Sequence, residues 1–360
     1  MSPICRLLLA LSFMALASVG CVPEKRVKWS PDGGVAAVRI GSHLHLCDPN
    51  GVLSPSLVGN VADMEWIAGT RRLVLVRALP TGKWADLEPL LAPARRDDVL
   101  RRAPELRDAV IAYKGEWSQF DASAFDGLRD EERAALLVLV KERYADELST
   151  QAGAAWAKLG AFEAPIHTLQ LAQADGLDKI TLGDVTFRSV APLARPTPSP
   201  DGRAVAFARA LPELKSELVV AALRSGAEAK RVAESITGTF AWMPDGRQLV
   251  YATAANSDVS GSDPMLVAVQ RSAVLGADGE LFSETSGGTP LAFALVEGEP
   301  SVTAVADGSV VFAVLDASLP VAAPDFTRTN ALYVLAPGDQ IICTRLTPKR
   351  LEDELPTTLA

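Results

Sequence analysis

The chain has 360 residues, 48% of them hydrophobic, and a formal net charge of −9. That length is ample for a sizeable core and for one to three domains. The acidic balance excludes nucleic acid as a partner, which calls for basic stripes, and three histidines and four cysteines leave little material for metal or redox chemistry.

The first predicted element is a leader over residues 1–20. Arg6 precedes an apolar run from Leu7 to Val19, which stops at Gly20-Cys21. A cation, an apolar stretch of roughly 7–15 residues and a small-residue cleavage site describe a secretory signal. A membrane-spanning helix needs about 20 apolar residues. The ending Ala17-Ser18-Val19-Gly20-Cys21 resembles the lipobox of bacterial lipoproteins, with Ser18 where that pattern prefers leucine. The resemblance implies that Cys21 is diacylated and becomes the mature N-terminus; the alternative is an ordinary signal with an incidental cysteine. Two or three acyl chains anchor more firmly than one, at ~0.8 kcal/mol per buried CH₂. Val22 stands where inner-membrane retention signals place Asp, so the resemblance implies the outer membrane, facing the periplasm or the cell surface. Cleavage removes one charge, Arg6, and takes the net charge from −9 to −10.

From about residue 27 a short pattern recurs. Trp29-Ser-Pro-Asp-Gly-Gly-Val-Ala-Ala-Val-Arg-Ile40 is echoed by Pro198-Ser-Pro-Asp-Gly-Arg-Ala-Val-Ala-Phe-Ala-Arg209 and by Trp242-Met-Pro-Asp-Gly-Arg-Gln-Leu-Val-Tyr-Ala-Thr253. Weaker copies run over Trp66–Arg77 and Val305–Val314. A second element follows each, beginning at Leu44, Leu169, Leu218, Leu266 and Leu332. Pro sets φ for a turn, Asp bonds its own backbone, and Gly takes the positive φ that closes a hairpin. Asp32, Gly33, Asp201, Gly202, Asp245, Gly246, Asp307 and Gly308 are therefore read as structural turn residues. Val205, Phe207, Leu249 and Tyr251 alternate behind the turns as a strand would. One unit is about four short antiparallel strands, a sheet that cannot bury both faces alone and gains by packing radially.

The Trp/Pro-Ser-Pro-Asp-Gly form resembles the TolB-like β-propeller repeat over residues ~27–345, apart from one insertion; the Gly-His and Trp-Asp signatures of the WD type are absent. The resemblance implies an all-β fold, a β-propeller of about five to six blades, with the repeated Asp and Trp as fold markers. The chain is not TolB itself, which carries an extra N-terminal α/β domain. Ala273–Ser301 is long enough to hide a degenerate sixth copy. Cys47 and Cys343 fall in the first and last repeats; they either pair across the seam in an oxidising compartment or stay as two separate buried thiols.

The pattern breaks over 84–160. Leu128–Leu159 has no Pro, is rich in Ala, Leu, Glu, Arg and Lys, and stops before Gly160, as a helix would. Asp130, Glu131 and Glu132 suit its N-terminus, and Leu136, Leu137, Val140, Tyr144 and Leu148 give it an apolar face. Pro104–Lys114 reads as an earlier helix beginning at its proline. The expected division is leader 1–20, propeller 21–83, α-helical insertion in the second blade 84–160, propeller 161–346 and tail 347–360. The insertion either enlarges the fold or forms a docking platform or lid over the channel.

No catalytic constellation is legible, and no cofactor or metal is expected. His43 and His45 share one strand face, but with His167 they lack further ligands at metal spacing. There is no Gly-x-Ser-x-Gly elbow, no phosphate-binding glycine loop and no alternating carboxylates for Ca²⁺. The expected function is a non-enzymatic envelope lipoprotein that binds other envelope proteins. The alternatives are an enzyme or a carbohydrate- or small-ligand-binding protein using the central channel, and a passive surface component.

Overall fold

Each copy of the repeat becomes an antiparallel hairpin followed by a third strand. The computed structural model describes residues 26–113, 128–152, 164–211, 215–224, 229–254, 265–276, 280–282, 288–316, 330–336 and 342–345. The leader, Cys21 and the tail lie outside the described residues. The first repeat forms β1 (Val27–Trp29), β2 (Ala36–Ile40) and β3 (His43–Cys47) in one three-stranded sheet. The second forms β4 (Val61–Trp66), β5 (Arg72–Thr81), β6 (Ala164–Ala174) and β7 (Ile180–Ser189) in a four-stranded sheet.

The remaining strands hydrogen-bond in sequence order: β8 (Leu193–Pro198), β9 (Ala204–Ala210), β10 (Ser216–Ala222), β11 (Ala229–Trp242), β12 (Gln248–Ala254), β13 (Met265–Ala273), β14 (Thr289–Ala304), β15 (Val310–Asp316), β16 (Asn330–Ala336) and β17 (Ile342–Arg345). Two irregularities divide this run into three repeats. Strand β11 pairs with β10 up to Ile236 and with β12 from Ile236 to Trp242, with a register shift between Thr237 and Phe240. Strand β14 pairs with β13 up to Val296 and with β15 onward to Ala304, with a shift between Glu297 and Ser301. Gly238 and Gly298, at φ 73° and 72°, mark the two corners. A Cβ on Gly238 would lie 1.8 Å from the Pro300 carbonyl oxygen, so the close approach of β11 and β14 requires glycine there. Among the described residues, the stretch that left room for a sixth copy contributes one named strand beyond β13, β14 (Thr289–Ala304), which pairs with both β13 and β15.

The repeats stack face on face, and the middle strands of the second, third and fourth are buried on both sides. Leu73 and Leu75 of β5 pack with Ala37, Leu44 and Leu46 of the first sheet. Val74 and Val76, pointing the other way, pack with Val205, Phe207 and Val219 of the third. Leu249 and Tyr251 of β12 then meet Ala206 and Leu218, while Val250 and Ala252 meet Phe312 and Val314. Burying one such side chain contributes about 1.5–3 kcal/mol, and the period-two alternation makes every sheet dependent on its neighbours. Trp66 and Trp242 add a directional tie. Each stands just before a hairpin turn and donates its indole N–H to a carbonyl of the preceding repeat, Lys28 and Thr197 respectively, both at 2.7 Å.

Among the described residues three α-helices lie between β5 and β6: α1 (Trp84–Leu87), α2 (Pro93–Ala112) and α3 (Asp130–Gln151). The two strands remain paired to their ends, Thr81 opposite Ala164, so the helical segment leaves and re-enters the sheet at one point. Helix α2 begins at Pro93 rather than at Pro104, which sits inside it. Pro93 supplies the preset φ of a first helical residue, and packing against α3 carries the helix past the later proline despite its missing N–H. No described helix is long and apolar enough to cross a membrane.

Candidate functional site

The helical pair is held by a continuous apolar seam. Val99, Ala103, Leu106 and Val110 of α2 form one cluster with Ala135, Leu136, Leu139, Val140 and Leu148 of α3, closed against Ala164, Ile166 and Val190 of the second repeat. At the start of α3, Arg129 and Glu132 form a capping box: the Arg129 N–H donates to Glu132 Oε2 at 3.0 Å. The Glu132 carboxylate is 2% exposed and also faces the guanidinium groups of Arg95 on α2 at 3.5 Å and of Arg129 at 3.7 Å. Its charge is thus compensated from both helices, as a buried carboxylate requires. Arg107 on α2 reaches Glu147 at 3.7 Å and lies over the Tyr144 ring, 5.0 Å from its centroid. The Trp84 N–H donates to Glu142 at 2.6 Å.

Where α3 begins, it stands off from the strand ends and leaves a half-open cleft of about 730 Å³. One wall is Arg129, Asp130, Glu131, Arg133 and Ala134 of the helix start; the other is Pro165, His167, Val190, Pro192, Ala210, Leu211, Lys215 and Ser216. A smaller hollow of about 140 Å³ adjoins it, sharing Arg129, Glu131, Val190, Ala210 and Leu211. The lining mixes apolar side chains with both signs of charge, the chemistry of a recognition surface. His167 is half-buried, its Nδ1 is enclosed without a hydrogen-bond partner, and burial pushes its pKa down, so the ring is neutral at pH 7.

A second constellation ties the inner strands together. Arg195, at the unusual φ of 55°, donates its backbone N–H to Asp63 Oδ2 of β4 at 2.8 Å. Its guanidinium donates to the Gly238 carbonyl and to Glu299 Oε2, the latter at 3.0 Å. One residue, through its backbone N–H and its guanidinium, thereby joins the second, third, fourth and fifth repeats. Thr239 of β11 likewise bonds the backbone of Val302 in β14, accepting its N–H at 2.6 Å.

The turn residues lie at the strand ends opposite the helices. Asp32 accepts from the Ser30 hydroxyl at 2.5 Å and from Gly34 N–H at 3.0 Å; Asp201 accepts from Ser199 at 2.6 Å and Arg203 N–H at 3.1 Å. Asp245 accepts from Arg247 N–H at 2.9 Å and Asp307 from Ser309 N–H at 2.8 Å. Gly33, Gly202, Gly246 and Gly308 take φ of 66°, 69°, 67° and 85°. The Ser30 hydroxyl beside Asp32, with the Gly34 N–H, holds its pKa down to about 2. His43 Nδ1 is 2.8 Å from Ser56 Oγ, and His45 Nδ1 is 2.9 Å from the Ser54 carbonyl. Cys47 is a half-buried thiol directed at the Asp48 carbonyl, 3.4 Å away. Cys343 stands opposite Leu335 in β17, with its side chain outside the described residues. Among the described residues no three of His, Cys, Asp and Glu gather closely enough to hold a metal ion.

The cleft itself carries no sequence motif. It draws on the start of α3, on the ends of β6, β9 and β10 and on the connection from β7 to β8, so its residues span positions 129 to 216. The one available signal was the long Pro-free helix with acidic residues at its start.

No protein-family model matches the chain, and no curated protein does. Among solved structures it is similar to TolB from Acinetobacter baumannii, at 15% identity and a TM-score of 0.33, over 51% of this chain and 38% of that one. The chain therefore spans 38% of that relative's length. It is similar to the β-propeller domain of the Trilobed protease from Pyrococcus furiosus, at 18% identity and a TM-score of 0.32, covering 52% and 50% of the two chains. A TolB candidate from Agrobacterium tumefaciens matches over 89% of this chain and 79% of its own, at 12% identity and a TM-score of 0.40. The described molecule is mostly β, built of stacked antiparallel sheets, and its structural neighbours include propellers.

Proposed function

We propose that this chain is a non-enzymatic binding protein of the cell envelope, in which five repeats form the blades of a TolB-like β-propeller and the helical pair provides the docking surface. The observation that carries this reading is the cleft under α3. It is about 730 Å³, lies between a rigid helical pair and the ends of three neighbouring strands, and presents apolar and charged groups together. The second repeat keeps its strands paired to Thr81 and Ala164, so beyond covering Ala164, Ile166 and Val190 the helices between them contribute surface. Insertions of this length on a regular scaffold are commonly functional.

The anchor belongs to the same reading. Cys21 as the lipidated N-terminus stands five residues ahead of Arg26. Five residues span at most about 18 Å of extended chain, which would keep the first sheet close to the bilayer. The Cys21→Ser variant should appear soluble or uncleaved after membrane fractionation and should lose acyl labelling. Unchanged labelling and fractionation would remove the anchor from the account.

A second reading has one observation of its own. The cleft volume falls in the ~300–1,000 Å³ range of small-molecule sites, and His167 presents an enclosed, unpartnered Nδ1 at its wall. A small ligand with a hydrogen-bonding group would satisfy that nitrogen. Photo-cross-linkers placed at Ala134 and Leu211 separate the two readings. Envelope-protein adducts at both positions, absent from a linker at Val52, support docking. No protein adduct, together with a small molecule co-purifying in native mass spectrometry, would give the lead to the second reading.

A further inference from the structure

His43 and His45 are held more closely than surface histidines need to be. They stand two apart on β3, so both side chains leave the same face of the first sheet. Register sets His43 opposite Ile40 and His45 opposite Val38, with Val27 beyond, so the neighbours across β2 and β1 are aliphatic. On the other side of β3 runs the segment 53–58. It is pinned to the strand by backbone bonds, Ser54 N–H to the Leu46 carbonyl at 2.8 Å and Leu57 N–H to the Leu44 carbonyl at 2.9 Å. The Ser54 hydroxyl accepts the Leu46 N–H as well, at 2.8 Å.

Each imidazole is fastened to this segment by the same ring nitrogen. His43 Nδ1 lies 2.8 Å from Ser56 Oγ, and His45 Nδ1 lies 2.9 Å from the Ser54 carbonyl. A carbonyl only accepts, so His45 Nδ1 carries the ring proton and, in the uncharged ring, the lone pair is on Nε2. The Ser56 hydroxyl accepts as readily as it donates, which allows His43 the same tautomer. Among the described residues neither Nε2 has a hydrogen-bond partner. His43 is exposed and His45 half-buried. An oxygen behind Nδ1 that fixes the ring and turns the Nε2 lone pair outward is the support that metal-ligating histidines use. Two residues of strand separate the Cα atoms by about 6.6 Å, and a small lean of each ring brings both nitrogens to one ion.

We propose that His43 and His45 form a two-imidazole chelate for a divalent transition ion on the first sheet. Among the described residues no third His, Cys, Asp or Glu stands close enough to join them. The site is therefore open, with water in the remaining positions, and takes its ion reversibly, unlike a closed four-ligand structural site. Imidazole selects Cu²⁺, Ni²⁺ and Zn²⁺ over the oxygen-seeking Ca²⁺ and Mg²⁺, and Cu²⁺ binds tightest of the series. The chelate shares no residue with the cleft under α3, so either can fail without the other.

The untagged full chain, with its four cysteines changed to Ser so that thiolates do not compete, is titrated with Cu²⁺ and followed by pulsed electron paramagnetic resonance. The expected result is one ion per chain with two coordinated imidazoles. His43→Gln and His45→Gln should each leave one imidazole. Removing the partner behind a ligand costs about 10–100-fold in affinity, so removing the ligand itself should cost at least about tenfold. His167→Gln should change neither readout. Fewer than two imidazoles in the parent, or unchanged affinity in both β3 variants, overturns the site. Zn²⁺ added to the protein without histidine substitutions gives a check that no folding defect can imitate. The Cε1–H resonances of His43 and His45 should shift together while that of His167 stays in place; movement of one alone, of all three or of none contradicts the chelate.

Discussion

At the residue scale the repeats are joined by single bonds whose loss is measurable. Trp242 is buried and gives its indole N–H to the Thr197 carbonyl. Trp242→Phe keeps most of the packing and leaves that carbonyl unpaired, a cost of about 1–3 kcal/mol. Trp242→Ala adds a cavity and should cost about 3–5 kcal/mol. Urea midpoints of the two variants check the order. The turn carboxylates act on the pH axis. Asp32 titrates near 2 in the fold against 3.8 for the free group, chiefly through the Ser30 hydroxyl. A depressed folded value means stability that is present above about pH 4 and lost as pH falls toward 2; Asp32→Asn should flatten that part of the acid limb. His167 contributes in a different window. Burial lowers its folded pKa below the ordinary 6.5, so its share of stability is intact above that value and declines as the unfolded chain takes up a proton below it. His167→Gln should remove this slope below about pH 6.5 and leave the Asp32 region unchanged.

At the element scale the corners matter as much as the strands. Gly33 and Gly238 both have positive φ, 66° and 73°, yet a Cβ on Gly33 meets open space while one on Gly238 meets the Pro300 carbonyl at 1.8 Å. Gly33→Ala should therefore cost only the backbone strain, about 1–2 kcal/mol, and Gly238→Ala substantially more, with β11 and β14 forced apart. Thermal midpoints distinguish them. The turns were legible because Ser-Pro-Asp-Gly recurs at fixed spacing and each residue has a local reason to be there. Gly238 was not, because its requirement comes from Pro300 in a strand of the next repeat, which local pattern does not reveal. The same holds for α2: a helix start at Pro104 is sound local reasoning, but Val99 and Ala103, ahead of that proline, are held by the contact with α3. The long helix after residue 128 could be read directly, since Leu136, Val140 and Leu148 keep helical spacing and all three are buried. Within that pair Glu132→Gln should lower helix-pair stability by about 1–2 kcal/mol, through the weakened cap and the uncompensated Arg95 and Arg129.

At the scale of the whole molecule, the sequence carried the repeat and its stacking logic but not the site. The second, third and fourth repeats bury both faces of their middle strands against their neighbours, as the alternation of Leu73 with Val74 and of Leu249 with Val250 requires. The cleft, by contrast, assembles from α3, Pro165, Pro192 and Lys215, which share no spacing rule and meet only once the second and third repeats stand side by side. Function is therefore proposed for a surface made by folding rather than for a motif. The most direct measurement is in-cell cross-linking with mass spectrometry on the full chain and on one in which residues 82–163 are replaced by an Asn-Gly turn between Thr81 and Ala164, the pair that ends the β5–β6 ladder. The account predicts that the shortened chain keeps a cooperative β-rich fold and loses a specific envelope partner captured by the full chain. Capture of the same partner by the folded, shortened chain would contradict it and move the binding surface to the sheets themselves.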